Sequence, residues 1–483
     1  MLYKRLIKKY NKIFFNILPV IFFFLLTFFL QLPFLNVPYF WDSMQYMPLT
    51  KWLTTNHLNL LSMCYFPKNF VYEYDPLFLY LILAIFFTIF GESLWIPHLI
   101  IIFFGFLTLY FTYLLGSYLY NKKIGFMASL ILFFFPLFFA QTTLYQWSIP
   151  FTAFMMMTLY FFIKRNKIGY ILSSIFMIMV TEMSIIVIFI ILIYFLCQNL
   201  KKNKFELIKN FLFYSIPLFI FGVWMLWNKL VFGSFLSSDQ FSMFIEPSFE
   251  SFLDRFLSIF IYNNIWILTS INIIFLLTLV MKRKNKKFKI RGEVLLLLFI
   301  ILVYFSIFSF MRKDMGFLIR YSLHIYPIFF IFTINSLSNL LKNKYVLILV
   351  VSALIILFIS DWQGVRPFYQ GYSETNLRYL DIVKADQKMA NYIETNFSDS
   401  FVLAAWPQCW ELAEPSYGYV NKSIKSRHFS AINKDISNID LIFYSPYSSS
   451  QNEILEIIGS LNLTLIKEFG VNEEYIRLYE INK

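Results

Sequence analysis

Apolar positions along this chain gather into runs near twenty residues long, and short stretches between them carry most of its lysines and arginines. A helix of that length spans the roughly 30 Å hydrocarbon core of a bilayer, so each run predicts a crossing. Read in order, the runs predict about eleven transmembrane helices, at 12–35, 95–119, 124–141, 148–163, 168–181, 184–199, 211–232, 260–281, 293–311, 317–338 and 345–361. Basic clusters at Lys4–Lys12, Lys122–Lys123, Lys164–Lys167, Lys201–Lys209 and Lys282–Arg291 orient them, because cytoplasmic loops are enriched in cations. The N-terminus is thereby expected in the cytoplasm. Its first apolar run is long and lacks a small-residue cleavage site, which reads as an uncleaved helix.

One run does not fit the alternation. Residues 76–90 would span only about 22 Å as a helix, and counting them as a crossing would move the Lys122 and Lys164 clusters outside. They are expected to form a re-entrant or interfacial hairpin inside a large first outer loop, 36–94. From Trp362 the pattern becomes polar and predicts a separate extracytoplasmic α/β domain, 362–483, after a membrane domain, 1–361. Ile382–Asn396 has helical period, with Ile382, Ala385, Met389 and Tyr392 on one face and Ile393 adjoining it, and Ile454–Leu461 reads as a second helix. Phe401–Ala405, Leu441–Tyr444, Leu463–Phe469 and Tyr475–Glu480 read as strands.

Composition narrows the function. The chain is 59% hydrophobic and 14% charged, against about 25% charged in soluble proteins. Its net charge of +13 sits in the loops, so it reads as a topology signal and not as a nucleic-acid surface. Three cysteines without a CxxC pair argue against a thiolate zinc site. Cys64 and Cys409 fall on the same outer side, where a disulfide or two free thiols both fit. No Gly-rich phosphate loop supports a nucleotide site.

Ionisable groups at membrane depth are costly, so they are the first functional candidates. Asp42, in an aromatic stretch after the first helix, suits a general base; it also suits the N-cap of a short helix. Glu73, Tyr74 and Asp75 before Pro76 suit a metal or an amine, or a turn ahead of a proline. The turn from Gln141 to Pro150 offers Gln146 and aromatic rings without a carboxylate. Glu182 lies between two short apolar segments. Arg312, Lys313, Arg320, Tyr321 and His324 gather late in the chain. Arg320 falls about one turn inside its helix, where a guanidinium needs a carboxylate or phosphate partner or must snorkel outward. One acid and one deep arginine facing outward suit a lipid-phosphate donor, since no nucleotide is expected there.

This order of residues resembles the GT-C superfamily of polyprenyl-phosphate-sugar glycosyltransferases, and most of all the branch holding protein O-mannosyltransferases and lipid A aminoarabinose transferases. The family's Asp-Glu-x-x-Tyr appears as Asp42-Ser43-Met44-Gln45-Tyr46. Its Pro-Leu-Tyr stretch ending in Phe-Gly appears as Asp75-Pro76-Leu77 with Tyr80, ending at Phe90-Gly91. The acid of its Asp-x-Pro is Ser148 here, its lysine position after the fifth helix is met by Thr181-Glu182, and its late Arg-Tyr is Arg320-Tyr321. The resemblance implies an inverting transferase with Asp42 as base. It implies Arg320, Tyr321 and Arg312 at the donor phosphate, and Tyr46, Asp75, Tyr80, Glu182, Gln146 and His324 around substrate. A divalent cation is allowed for, with Asp42, Glu73 and Asp75 as candidate ligands. The expected partners are a polyprenyl-phosphate sugar, a lipid, glycan or protein acceptor, and membrane lipids. A transporter would call for paired inverted repeats, which are not seen; a non-catalytic envelope scaffold is the remaining rival.

Overall fold

The computed structural model describes residues 2–66, 76–200, 203–233, 235, 253, 265–282, 291–309, 319–363, 374–429, 438–448, 451–471 and 474–482. Its first helix, α1 (Leu2–Gln31), runs into a 3₁₀ turn, Leu32–Phe34. After the short helices α2 (Asp42–Gln45) and α3 (Met47–Thr55) come α4 (Phe78–Phe90), α5 (Trp95–Leu119), α6 (Lys122–Phe134) and α7 (Pro136–Gln141). They are followed by α8 (Ser148–Ile163), α9 (Lys167–Val180), α10 (Ser184–Asn199), α11 (Lys204–Tyr214), α12 (Ile216–Phe232), α13 (Ile265–Lys282) and α14 (Gly292–Ser309). A 3₁₀ segment, Ile319–Ile325, leads into α15 (Tyr326–Leu340), and α16 (Lys344–Ser360) closes the helical part.

Four turns between these helices share one chemistry. Asn121, Asn166, Asn203 and Asn343 each precede a lysine and cap the next helix, accepting from Lys123 and Ile124, Gly169, Phe205 and Tyr345 respectively at 2.9–3.1 Å. An Asn cap satisfies backbone donors that the new helix leaves open. Where α5 meets α6 the backbones come close: a Cβ on Gly116 would lie 2.8 Å from the Gly125 Cα. Small residues allow this approach between apolar helices.

Among the described residues three helical spans are long and apolar enough to cross a bilayer alone: Ile17–Phe34, Trp95–Leu119 and Ile319–Leu340. The pair α11 and α12, bent by 43°, makes a fourth if taken as one span, and seven further apolar helices are shorter. Three sequence expectations need correction. The hairpin at 76–90 is instead one continuous helix, because nothing in its run of leucines, isoleucines and phenylalanines breaks helical backbone. The predicted helix 124–141 is split: Phe135 is extended (ψ 124°) and Pro136 opens α7, since proline disfavours helical backbone in the residue before it. The outer end of the predicted 317–338 helix is 3₁₀.

The tail is a five-stranded sheet in the order β2-β1-β3-β5-β4, with β1 (Val402–Ala404), β2 (Ser426–His428), β3 (Leu441–Tyr444), β4 (Leu463–Val471) and β5 (Glu474–Ile481). β1 is parallel to β2 and β3, while β5 is antiparallel to β3 and β4. Helix α17 (Tyr379–Asn396) buries Ile382, Ala385 and Met389 of the predicted face and the adjoining Ile393, while Tyr392 is half-buried. Helices α18 (Gln408–Ala413) and α19 (Gln451–Ser460) complete it.

The tail packs on the first loop. Tyr39 N–H donates to the Tyr417 carbonyl at 3.1 Å and the Tyr419 hydroxyl donates to the Tyr39 carbonyl at 3.0 Å. Lys51 joins Glu92 (3.1 Å), Glu414 (3.0 Å) and Ser416 (2.6 Å). Phe40 meets Tyr379, and Trp41 meets Trp406 edge-on, at ring distances of 5.2 and 5.0 Å. Cys409 is a free, buried thiol, so no disulfide joins it to Cys64; the Cys64 side chain lies outside the described residues.

Candidate active site

Asp42 is the first residue of α2, not its N-cap; the cap position is Trp41, whose backbone (φ 47°, ψ −123°) is left-handed. A bulky residue there is strained by about 1–3 kcal/mol and persists only where its surroundings hold it, as Trp406 does here. The Asp42 carboxylate bonds directly to the guanidinium of Arg320, which comes from the 3₁₀ segment between α14 and α15.

Arg320 is 2% exposed and holds a second carboxylate, Glu374, which lies at the head of the tail. Its Nη1 also donates to Gln146 Oε1 at 2.7 Å. Gln146 returns its amide to the Glu374 carboxylate at 2.9 Å, and Gln141 donates to the Glu374 carbonyl at 3.0 Å. The Thr143 hydroxyl meets the Tyr379 hydroxyl beside them. A buried charge must be paired and hydrogen-bonded to be tolerated, and Arg320 meets both conditions through four chain segments. Burial pushes the Glu374 carboxyl above the ordinary glutamate value, against the pull of Arg320 and of the Gln146 amide. The two acids differ in access: the Asp42 side chain is 30% exposed and Glu374 only 7%.

Around this centre lies an aromatic wall. Tyr321 carries the Arg320 guanidinium over its ring at 5.4 Å and stacks on Trp147 at 5.6 Å. Tyr46 packs against Tyr80 (5.2 Å) and Tyr145 (5.6 Å), and the Tyr145 hydroxyl donates to the Leu79 carbonyl. His324 is buried between Tyr304 (4.3 Å) and Phe151 (5.0 Å). Glu182 sits in the turn before α10, next to Met183, whose carbonyl accepts from the Tyr304 hydroxyl at 2.8 Å.

Of the residues singled out in the sequence, Asp42, Arg320, Tyr321 and Gln146 come together directly, and Tyr46 and Tyr80 pair beside α2. Glu182 and His324 both reach Tyr304, Glu182 through its neighbour Met183. Arg312, Glu73 and Asp75 lie outside the described residues. Glu374 was missed. Its only signal in the sequence is an acid just before a helix in otherwise ordinary polar sequence.

Among the described residues no three His, Cys, Asp or Glu side chains gather as a metal site. Asp42 and Glu374 close on a guanidinium, a donor set that does not fit a divalent ion without displacing Arg320.

The arrangement of helices and tail has the fold of a solved membrane-protein neighbour. The fold matches that of ArnT from Cupriavidus metallidurans bound to undecaprenyl phosphate, with a TM-score of 0.59, 10% identity and coverage of 95% of this chain and 97% of that one. The same protein in its apo state gives 0.58, 11%, 95% and 97%. A family model described as dolichyl-phosphate-mannose-protein mannosyltransferase matches residues 74–227, the stretch that holds α4 to most of α12. No curated protein matches the sequence.

Proposed function

We propose that this chain is an integral membrane glycosyltransferase that moves a sugar from a polyprenyl-phosphate carrier to a lipid, glycan or protein acceptor on the extracytoplasmic face, with inversion. The observation that carries the reading is the bond between Asp42 and Arg320, a base and a phosphate-seeking cation brought together from 278 positions apart. The undecaprenyl phosphate bound by the ArnT neighbour supports the same carrier class.

In the reaction Asp42 takes the acceptor's proton as the acceptor attacks the anomeric carbon. The carbon–oxygen bond to phosphate breaks, and its electron pair leaves with the polyprenyl phosphate. The phosphate gains a charge in that step, and Arg320 stabilises it there by charge-assisted hydrogen bonds in a site shielded from water. Tyr321 and Trp147 form a flat apolar face beside the guanidinium. Tyr46, Tyr80, Asp75, Glu182 and His324 are assigned to the substrate, and Arg312 joins Arg320 and Tyr321 at the phosphate.

The topology proposed with it has about eleven crossings, a membrane domain to 361, the N-terminus inside and the tail outside. In a C64S/C197S/C409S background a membrane-impermeant maleimide should label K422C on whole cells and leave K204C unmodified; the reverse pattern refutes the orientation. For the chemistry, Asp42→Asn should lose turnover about 10²–10⁴-fold, the range for a lost general base, while eluting as a folded protein. Glycolipids and glycoproteins compared with and without the gene would identify the product. Full activity in Asp42→Asn would favour a scaffold.

A further inference from the structure

Arg320 Nη1 and Gln146 Nε2 donate to the two oxygens of one carboxylate, that of Glu374. A planar guanidinium beside an amide N–H is an anion cradle, and its geometry suits two oxygens of a phosphate equally well. In this structure an acid of the chain's own tail fills it. With Asp42 on Nη2, two acid side chains face one guanidinium. Nε is buried without a partner, and one donor cannot offer the paired N–H fork that a phosphate takes. A lipid phosphodiester therefore meets a cradle with its best donors taken.

We propose that Glu374 is an affinity-determining residue, an internal stand-in for the donor phosphate that must withdraw from the Arg320–Gln146 cradle when a polyprenyl phosphate binds and that reclaims it when the spent carrier leaves. This rests on the proposed function above. Asp42 is the acid that stays, because α2 fixes its backbone through the Ser43 N–H to Phe40 and Met44 N–H to Trp41 bonds and because its side chain is partly exposed. Glu374 is the acid the tail brings, and its carboxylate uses both donors a phosphate needs. The same competition keeps the released carrier, which has gained a charge, from holding the site.

The test uses the full-length protein in nanodiscs with undecaprenyl phosphate as probe, its binding read by tryptophan fluorescence. Glu374→Gln should bind the probe about tenfold or more tightly than wild type, the scale of one lost charged competitor, and should turn over more slowly under excess carrier phosphate. Glu374→Asp keeps the charge but draws it back by one methylene, and should fall between the two. Melting temperatures check that each variant is folded. Weaker binding by a folded Glu374→Gln overturns the proposal, since Glu374 would then be holding Arg320 in place. Unchanged binding also overturns it while leaving the transferase reading standing. Absence of binding in wild type and both variants sinks that reading as well.

Discussion

Two pairs of acids, one beside a cation and one without, differ in their surroundings. Asp42 and Glu374 share Arg320. Asp386 and Glu411, buried between α17 and α18, have no cation paired with them among the described residues; Gln408 donates to Asp386 at 3.2 Å, and Glu411 faces Asp386 and Tyr419. Burial drives the Asp386 carboxyl up to about 7 and also raises Glu411, with Asp386 adding to the push. A cation beside an acid favours its charged form, whereas a second acid in an apolar setting favours the protonated one. The second pair lies where the tail is held to the first loop, through the Tyr419 hydroxyl that reaches the Tyr39 carbonyl.

The comparison breaks most completely at its cation. Arg320→Ala would leave two buried carboxylates facing each other, so turnover should fall at least about 10²–10³-fold and stability by about 3–5 kcal/mol; activity assay and thermal unfolding measure the two losses. Arg320→Lys should recover part of the stability and little of the turnover, because an ammonium lacks the fork.

The uncompensated pair should reveal itself by pH. Native Asp386 keeps its proton to about pH 7, whereas an unfolded aspartate releases it near 3.9. The native state thus binds more protons across that interval, so stability declines as pH rises from about 4 to 7 and levels off above. The decline for one group is at most about 1.4 kcal/mol per pH unit. Asp386→Asn should flatten the slope and melt higher than wild type at pH 8, by scanning fluorimetry. A wild-type slope of opposite sign would contradict this account of the pair.

The smallest effect concerns the seam between the regions. Gly418 has φ +91°, and a Cβ there would lie 2.9 Å from Leu94 Cδ1 and 3.4 Å from Pro38. Gly418→Ala should cost about 1–2 kcal/mol through strain and crowding, seen as a lower melting temperature with the Arg320 site still assembled.

The sequence was most legible where one physical rule acts alone. Hydropathy placed α5 and α8 to the residue, and a short apolar run placed β3 from Leu441 to Tyr444. It failed where local and tertiary effects compete. Pro136 follows a strongly apolar run that masks its effect on Phe135. β2 spans only three residues, Ser426–His428, with no apolar pattern to mark it. Asp42 and Arg320 stood out because charge is rare in greasy sequence. Glu374 lies among serine, threonine and asparagine, where an acid is unremarkable, and its burial follows only from the docking of the tail on Gln141 and Gln146.

The site draws on both ends of the polypeptide. The ribosome supplies Asp42 early, Arg320 much later, and Glu374 only after α16 has been made. A nascent chain therefore carries Arg320 with Asp42 as its single acidic partner until the tail has emerged and folded back onto Tyr39 and Lys51. Order of synthesis itself thus delays completion of the reactive centre, and a tail-swapped chimera would inherit the helices without the residue that closes it.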